Sequence, residues 1–201
     1  APDSQSYLNP MDLDLSTDVG ESPMLMQADF LLSQCELMMA SYGNPLMPIE
    51  KSLIDRCISL VYRDYLKNPR PENMPILGDL YQCLREQHNS RADDLATAME
   101  IYVTGSLSYL NHRTNVDLNN RMVCYNISKL GQGLKKLVMS NVQKHIWQRT
   151  AVNRYAGITT RIFLDEFHLL LKEPQTAAYT AEIYKRFRKW NGIPTSLTQN
   201  V

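Results

Sequence analysis

Two adjacent carboxylates, Asp165 and Glu166, close the apolar run RIFL, and their types and placement could do chemistry. A carboxylate at the end of a strand can hold a divalent cation, commonly through water, while its neighbour orients or deprotonates a water that attacks a phosphoryl group. Gln199 ends a second stretch, TSLTQ, where a neutral amide can bond both a phosphate oxygen and an attacking water. Between them runs a basic cluster, Lys185, Arg186, Arg188 and Lys189. It either offers charge to phosphate, within one site or across a subunit boundary, or forms a solvated face that complements a helix C-terminus. The carboxylates have a plain alternative as the cap of the next helix, and Gln199 as a strand-end turn residue. His168 is placed to orient a carboxylate, while His88, His112 and His145 lack metal-ligand spacing.

Such residues meet only if the elements beneath them bring strand ends together. After Gly105 the sequence alternates between strand and helix grammar. Met122–Ile127 in NNRMVCYNIS reads as a strand core, and GQGLKKLVMSNVQKHIWQRT follows as a helix with Leu134, Leu137, Val138, Val142 and Ile146 on one face. GITTRIFLDEF is a second strand, about Pro174 to Trp190 a helix, and GIPTSLTQ (192–199) a third strand. Strand, helix, strand, helix, strand with short connections implies parallel strands joined by right-handed crossovers. Ligands of such sheets bind at the carboxyl ends of the strands, where Asp165 and Glu166 fall. A strand that delivers an Asp and a Glu to that edge matches the Walker B arrangement of P-loop ATPases.

Upstream the grammar differs. YLNPMDL (7–13) reads as a short strand running into a turn, and Ser22-Pro23 as an N-cap with proline at the first helical position. From there to about residue 104 the pattern is helical, with four helices predicted. The last of them starts at Ser90, with Asp93 completing a capping-box-like pair. KNPRPENMP (67–75) connects the second helix to the third.

Composition sets the outer bounds. The chain has 201 residues, 44% hydrophobic, enough for one sizeable domain or a domain with an insertion. Lys plus Arg equals Asp plus Glu at 21 each, so the whole-chain charge argues neither for nor against nucleic acid. No apolar run approaches the roughly 20 residues of a membrane helix, and no signal-peptide pattern opens the chain. Cys35, Cys57, Cys83 and Cys124 are scattered without a C-x-x-C pair, which suggests neither zinc nor a disulfide framework and sets a reduced, cytosolic compartment as the default.

Taken in order, LNPMDLDL, SLIDRCISLVYRDYL, NHRTNVDLNNRMVCYNI, FLDEFHLLL and RFRKWNGIPTSLTQNV resemble the conjugative-transfer ATPases of type IV secretion systems, in the versions carried on mobile elements of Gram-positive gut bacteria. The resemblance covers essentially the whole chain, and its last two motifs are the most specific. It implies an α/β fold: a partial RecA-like parallel sheet formed by residues 1–22 and 105–201, with an all-helical insertion at 23–104. It implies a cytoplasmic motor, peripheral at the inner face of the membrane, whose partners are other subunits of a hexamer and membrane components of the secretion channel, with DNA as a further possible contact. ATP and Mg²⁺ are its implied cofactors. Carried onto this sequence, Asp165 becomes the Mg²⁺ ligand through water, Glu166 the catalytic carboxylate and Gln199 the phosphate-sensing glutamine, while Arg188 and Lys189 belong to the motif before that glutamine.

One departure is large, for G-x-x-x-x-G-K-[ST] occurs nowhere in the 201 residues. GQGLKK (131–136) is the nearest approach and lacks the Gly-Lys-Ser/Thr end. Without that loop there is neither a nest of backbone N–H groups nor a lysine for the phosphates. The expectation is a fragment that begins after this loop, turns over no ATP alone and binds nucleotide weakly at most. The competing expectation is a non-enzymatic helical module in which residues 23–104 bind a partner.

Overall fold

The computed structural model describes residues 5–15, 22–40, 45–167, 181 and 184–198. The chain divides into two compact units, residues 1–142 and 143–201.

The first unit is helical. Helices α1 (Pro23–Ala40), α2 (Pro48–Val61), α3 (Arg63–Lys67), α4 (Leu77–Arg85) and α5 (Ser90–Val103) precede the long α6 (Gln132–Tyr155). Proline at the first position starts α1, and the Ser22 carbonyl accepts from Met26 N at 3.1 Å. Helix α4 opens with Asp79 reaching back to Ile76 N at 2.7 Å, and α2 with Glu50 reaching back to Met47 N at 2.8 Å. The cap of α5 is Asn89, one residue before the expected Ser90: its Oδ1 accepts from Arg91 N at 2.9 Å and Ala92 N at 3.4 Å. An extended residue with a short side-chain acceptor is what a helix N-terminus needs, and Asn89 supplies it. Met38, Ile54, Ile58, Leu80, Leu84 and Met99 are fully buried in the shared core. The proline-rich connector makes a 3₁₀ turn at Pro71–Asn73, and Arg113 Nη1 binds the Pro71 carbonyl at 2.8 Å and that of Met74.

Two expected strands are absent. Residues 7–13 form an Asn-Pro turn, Asp12 N to Asn9 O at 3.2 Å, whose backbone is bound by side chains instead of a ladder. Tyr62 Oη donates to Met11 O and Tyr65 Oη to Leu13 O, while Gln27 Nε2 donates to Pro10 O and Asn141 Nδ2 to Leu8 O. Asn9, buried, satisfies all its groups: N–H to Thr114 Oγ1, Nδ2 to Pro75 O, and Oδ1 from Met11 N. Residues 122–127 are likewise not a strand; Met122 is 84% exposed and no neighbouring strand pairs with them among the described residues. An apolar run becomes a strand only where a ladder partner lies alongside.

The second unit holds the only strands among the described residues. β1 (Thr160–Leu164) and β2 (Gly192–Ser196) pair in parallel, in register from Thr160↔Gly192 to Leu164↔Ser196. Residues 184–189 are helical and lead into β2. Phe187 is buried, tilted against Trp147 at 5.9 Å between centroids. A Cβ at Gly192 would lie 2.5 Å from Phe187 Cδ1, so the start of β2 is open only to glycine.

Candidate functional site

β1 exposes Arg161 and Phe163 and buries Ile162, the period-two pattern of a strand with one covered face. At its carboxyl end the chain turns sharply. Glu166 takes φ +50, which costs a residue with a Cβ about 1 kcal/mol or more, and its N–H donates to Asp165 Oδ1 at 2.9 Å. Beyond the strands the two chains stay in step: Leu197 N donates to Leu164 O at 2.8 Å and Phe167 N to Leu197 O at 2.9 Å. Asp165, Glu166, Ser196 and Leu197 therefore share one edge, the carboxyl edge of the pair.

Tyr184 and Phe167 belong to the same edge and were not flagged by sequence reasoning. Their rings meet edge-on at 5.8 Å, and the Tyr184 hydroxyl bonds Ser196 Oγ. The register of Ser196 with Leu164 was the available signal, and it needed the strand pairing to be read.

Arg188 and Lys189 are not brought to that edge. They end the helical segment just before Gly192, where Thr160 N donates to Asn191 O at 3.2 Å, and so lie at the amino edge. Arg154 sits over the Trp190 ring at 4.7 Å from its centroid, Trp190 meets Trp147 at 4.5 Å, and Arg186 lies 5.6 Å from Trp147. Gln199 and His168 lie outside the described residues, as does most of the helix expected from Pro174.

Asp165 is exposed, and its Oδ1 accepts from the Glu166 N–H at 2.9 Å. No group of three or more metal-ligating side chains occurs among the described residues. GQGLKK opens α6, with Gly131 O accepting from Leu134 N and Lys135 N, and makes no phosphate loop. His112 stacks on Tyr7 at 3.9 Å. His145 has Nε2 shut from solvent without a partner, and burial, then the charge of Lys144, lowers its pKa from 6.5 to about 3. Burial pushes the Cys35 and Cys57 thiols up to about 12. No helix among the described residues is long and apolar enough to cross a membrane.

These features define a helix-rich α/β chain whose small parallel sheet presents a carboxylate pair at its carboxyl edge. The same fold occurs in the solved structure of VirB4 of Thermoanaerobacter pseudethanolicus, with a TM-score of 0.79 and 20% identity over 96% of this chain and 54% of that one. The chain thus spans about half the length of the protein it matches. No protein-family model matches the sequence, and no curated protein matches it.

Proposed function

We propose that the chain is part of a type IV secretion ATPase similar to VirB4, contributing the catalytic carboxylates and a helical lobe. The observation that carries this reading is the shared carboxyl edge: Asp165 and Glu166 follow β1, and β2 runs parallel and in register toward Gln199. A parallel sheet places its ligand there, and two carboxylates beside a strand leading to an amide have the chemistry of phosphoryl hydrolysis.

In this reading Asp165 holds the water shell of Mg²⁺, Glu166 orients and deprotonates the attacking water, and Gln199 contacts the terminal phosphate of ATP. Mg²⁺, when bound, neutralises charge on the phosphates. The Glu166 N–H, set by the turn at positive φ, holds the Asp165 carboxylate at the end of β1. In this reading Arg188 and Lys189, which precede β2 at the amino edge, are left without a role at the carboxyl edge of the same chain. Residues 1–22 and 105–201 contribute to the nucleotide-binding core, and 23–104 form a helical lobe that docks on other subunits of a hexamer or on membrane components of a secretion channel, at the cytoplasmic face.

The test is ATP turnover and binding of a fluorescent ATP analogue by the longer protein that carries this chain. Glu166→Gln is expected to lower turnover at least 100-fold with nucleotide still bound, and Asp165→Asn to weaken Mg²⁺-dependent binding. Turnover unchanged in Glu166→Gln removes the enzymatic reading and leaves a helical interaction module. Residues 1–201 alone, which lack a phosphate loop, are expected to show no turnover above background.

A further inference from the structure

The spacing of the cysteines gives no sign that any two of them meet, yet helix packing brings one pair together. Cys57 lies on the buried face of α2 with Leu53, Ile54 and Ile58. Cys83 lies on α4, one turn after Leu80 and beside Leu84. The two helices pack on each other, and both cysteines sit in the apolar core of the first unit. There the Cys57 thiol hydrogen-bonds the Cys83 sulfur, which also accepts from Gln87 Nε2 at 3.9 Å. Both are free thiols.

The two partners are not equivalent. Cys57 is fully buried, whereas solvent reaches part of Cys83. A small oxidant entering from the surface therefore meets Cys83 first, and whatever forms on that sulfur forms against a second thiol already in place. Positioning of this kind raises the effective concentration of the second thiol far above that of any dissolved one. A closed zinc site takes four ligands, and no group of three or more metal-ligating side chains occurs among the described residues. Two sulfurs without further ligands leave dithiol chemistry.

We infer that Cys57 and Cys83 are a modification site for hydrogen peroxide, a thiol pair that closes to a disulfide and staples α2 to α4. In the first step the Cys83 sulfur attacks one peroxide oxygen, the O–O bond breaks, and Cys83 becomes a sulfenic acid as one water leaves. In the second the Cys57 sulfur gives up its proton and attacks the Cys83 sulfur. The S–S bond forms, the S–O bond breaks, and the hydroxyl leaves with that proton as a second water. Two electrons pass from the sulfurs to the peroxide, and an external dithiol returns them by exchange. Burial, then the hydrogen bond to Cys83, pushes the Cys57 thiol up to about 12, so it stays inert until an oxidised sulfur stands beside it. The bridge closes a loop of about 25 residues that contains α3 and the proline-rich connector, and so removes freedom from the unfolded lobe. The inference goes beyond the nucleotide reading and shares no residue with it, so either can fail alone.

The test treats the 201-residue chain, carrying Cys124→Ser to remove the exposed thiol, with hydrogen peroxide at neutral pH, followed by alkylation and tryptic peptide mapping. Trypsin separates residues 57–63 from 68–85, so the bridge joins two peptides that are otherwise independent. The expected product is that joined pair, lighter by two hydrogens than its reduced parts and absent after dithiothreitol. The bridged chain is expected to melt about 6–12 °C higher, read by far-UV circular dichroism, as suits a loop of this length in a chain of this size. Cys57→Ala leaves the oxidised Cys83 without its second thiol, and dimedone is expected to trap sulfenic acid there about tenfold more than in the parent. The peptide map is read with both cysteines present, so it decides the question even where Cys57→Ala folds poorly. Four results overturn the inference: Cys83 carried on to sulfinic acid while Cys57 remains open to alkylation in urea; a bridge that forms only in urea; a bridge to Cys35 in place of Cys57; or a melting point that the bridge leaves unchanged, which removes the staple.

Discussion

Substituting Gly192 tests whether the start of β2 is set by close approach to Phe187. An added Cβ would lie 2.5 Å from Phe187 Cδ1 and 3.1 Å from its Cβ and Cγ, against the 3.5–4.0 Å at which carbon atoms rest. The ring has little room to retreat, being 1% exposed and tilted against Trp147. Overpacking of this kind costs about 1–3 kcal/mol, offset by about 0.5–1 kcal/mol because alanine has less backbone freedom to lose than glycine. Gly192→Ala is therefore expected to destabilise the second unit by about 1–2 kcal/mol, read by urea unfolding with tryptophan emission. The decisive measurement is a double-mutant cycle. In a Phe187→Ala background the obstruction is gone, and Gly192→Ala is expected to cost less than about 0.5 kcal/mol. An equal cost in both backgrounds would refute Phe187 as the residue that excludes a side chain at 192.

Tyr62→Phe leaves the buried Met11 carbonyl without its donor, so a loss of about 1–3 kcal/mol is expected in urea unfolding, and an unchanged midpoint would show that water takes the place of the hydroxyl. His145 binds its proton near pH 3 when folded and near 6.5 when unfolded; between these values the unfolded state holds more protons, so stability falls as pH drops below 6.5. About 2 kcal/mol is expected to disappear between pH 6.5 and 5, and a slope that persists in His145→Gln would assign it to another group. Cys124 is exposed and is expected to react with a thiol reagent at pH 8 in the native chain, whereas Cys35 and Cys57, with thiols raised to about 12, react only as the chain unfolds. Rapid modification of all three without denaturant would contradict the buried core.

The helices of the first unit were legible because several carry their own signal: Pro23 at a first turn, Ser90 and Asp93 at the start of the last helix, and the proline-rich connector 67–75 between the second and third. The strands RIFL and GIPTS were legible as short strand-like runs, and their parallel pairing from the strand, helix, strand order expected around them. Met122–Ile127 reads equally well as a strand core, yet a strand is a relation between two segments, and single-segment pattern cannot report a missing partner. The Asn9–Leu13 turn was hidden for a related reason. Its backbone partners are the side chains of Gln27, Tyr62, Tyr65 and Thr114, 17 to 105 residues along the chain. Asp165 and Glu166 could be placed at a strand end from sequence, but not the separation of Arg188 and Lys189 from them. That follows from helix direction: a segment that leads into a parallel strand delivers its last residues to the amino edge.

The bonds that hold residues 7–13 have a consequence for synthesis. The Leu8 carbonyl waits for a donor 133 residues later, the Asn9 N–H for an acceptor 105 residues later, and the Met11 carbonyl for a tyrosine hydroxyl 51 residues on. At about 5–20 residues per second, the ribosome needs roughly 7 to 27 seconds to complete the set after Leu8 is made. Through that interval Leu8, Met11 and Leu13, all buried in the finished fold, are displayed without their cover on a nascent chain. Docking of this segment can be completed only after Asn141 of α6 has been made.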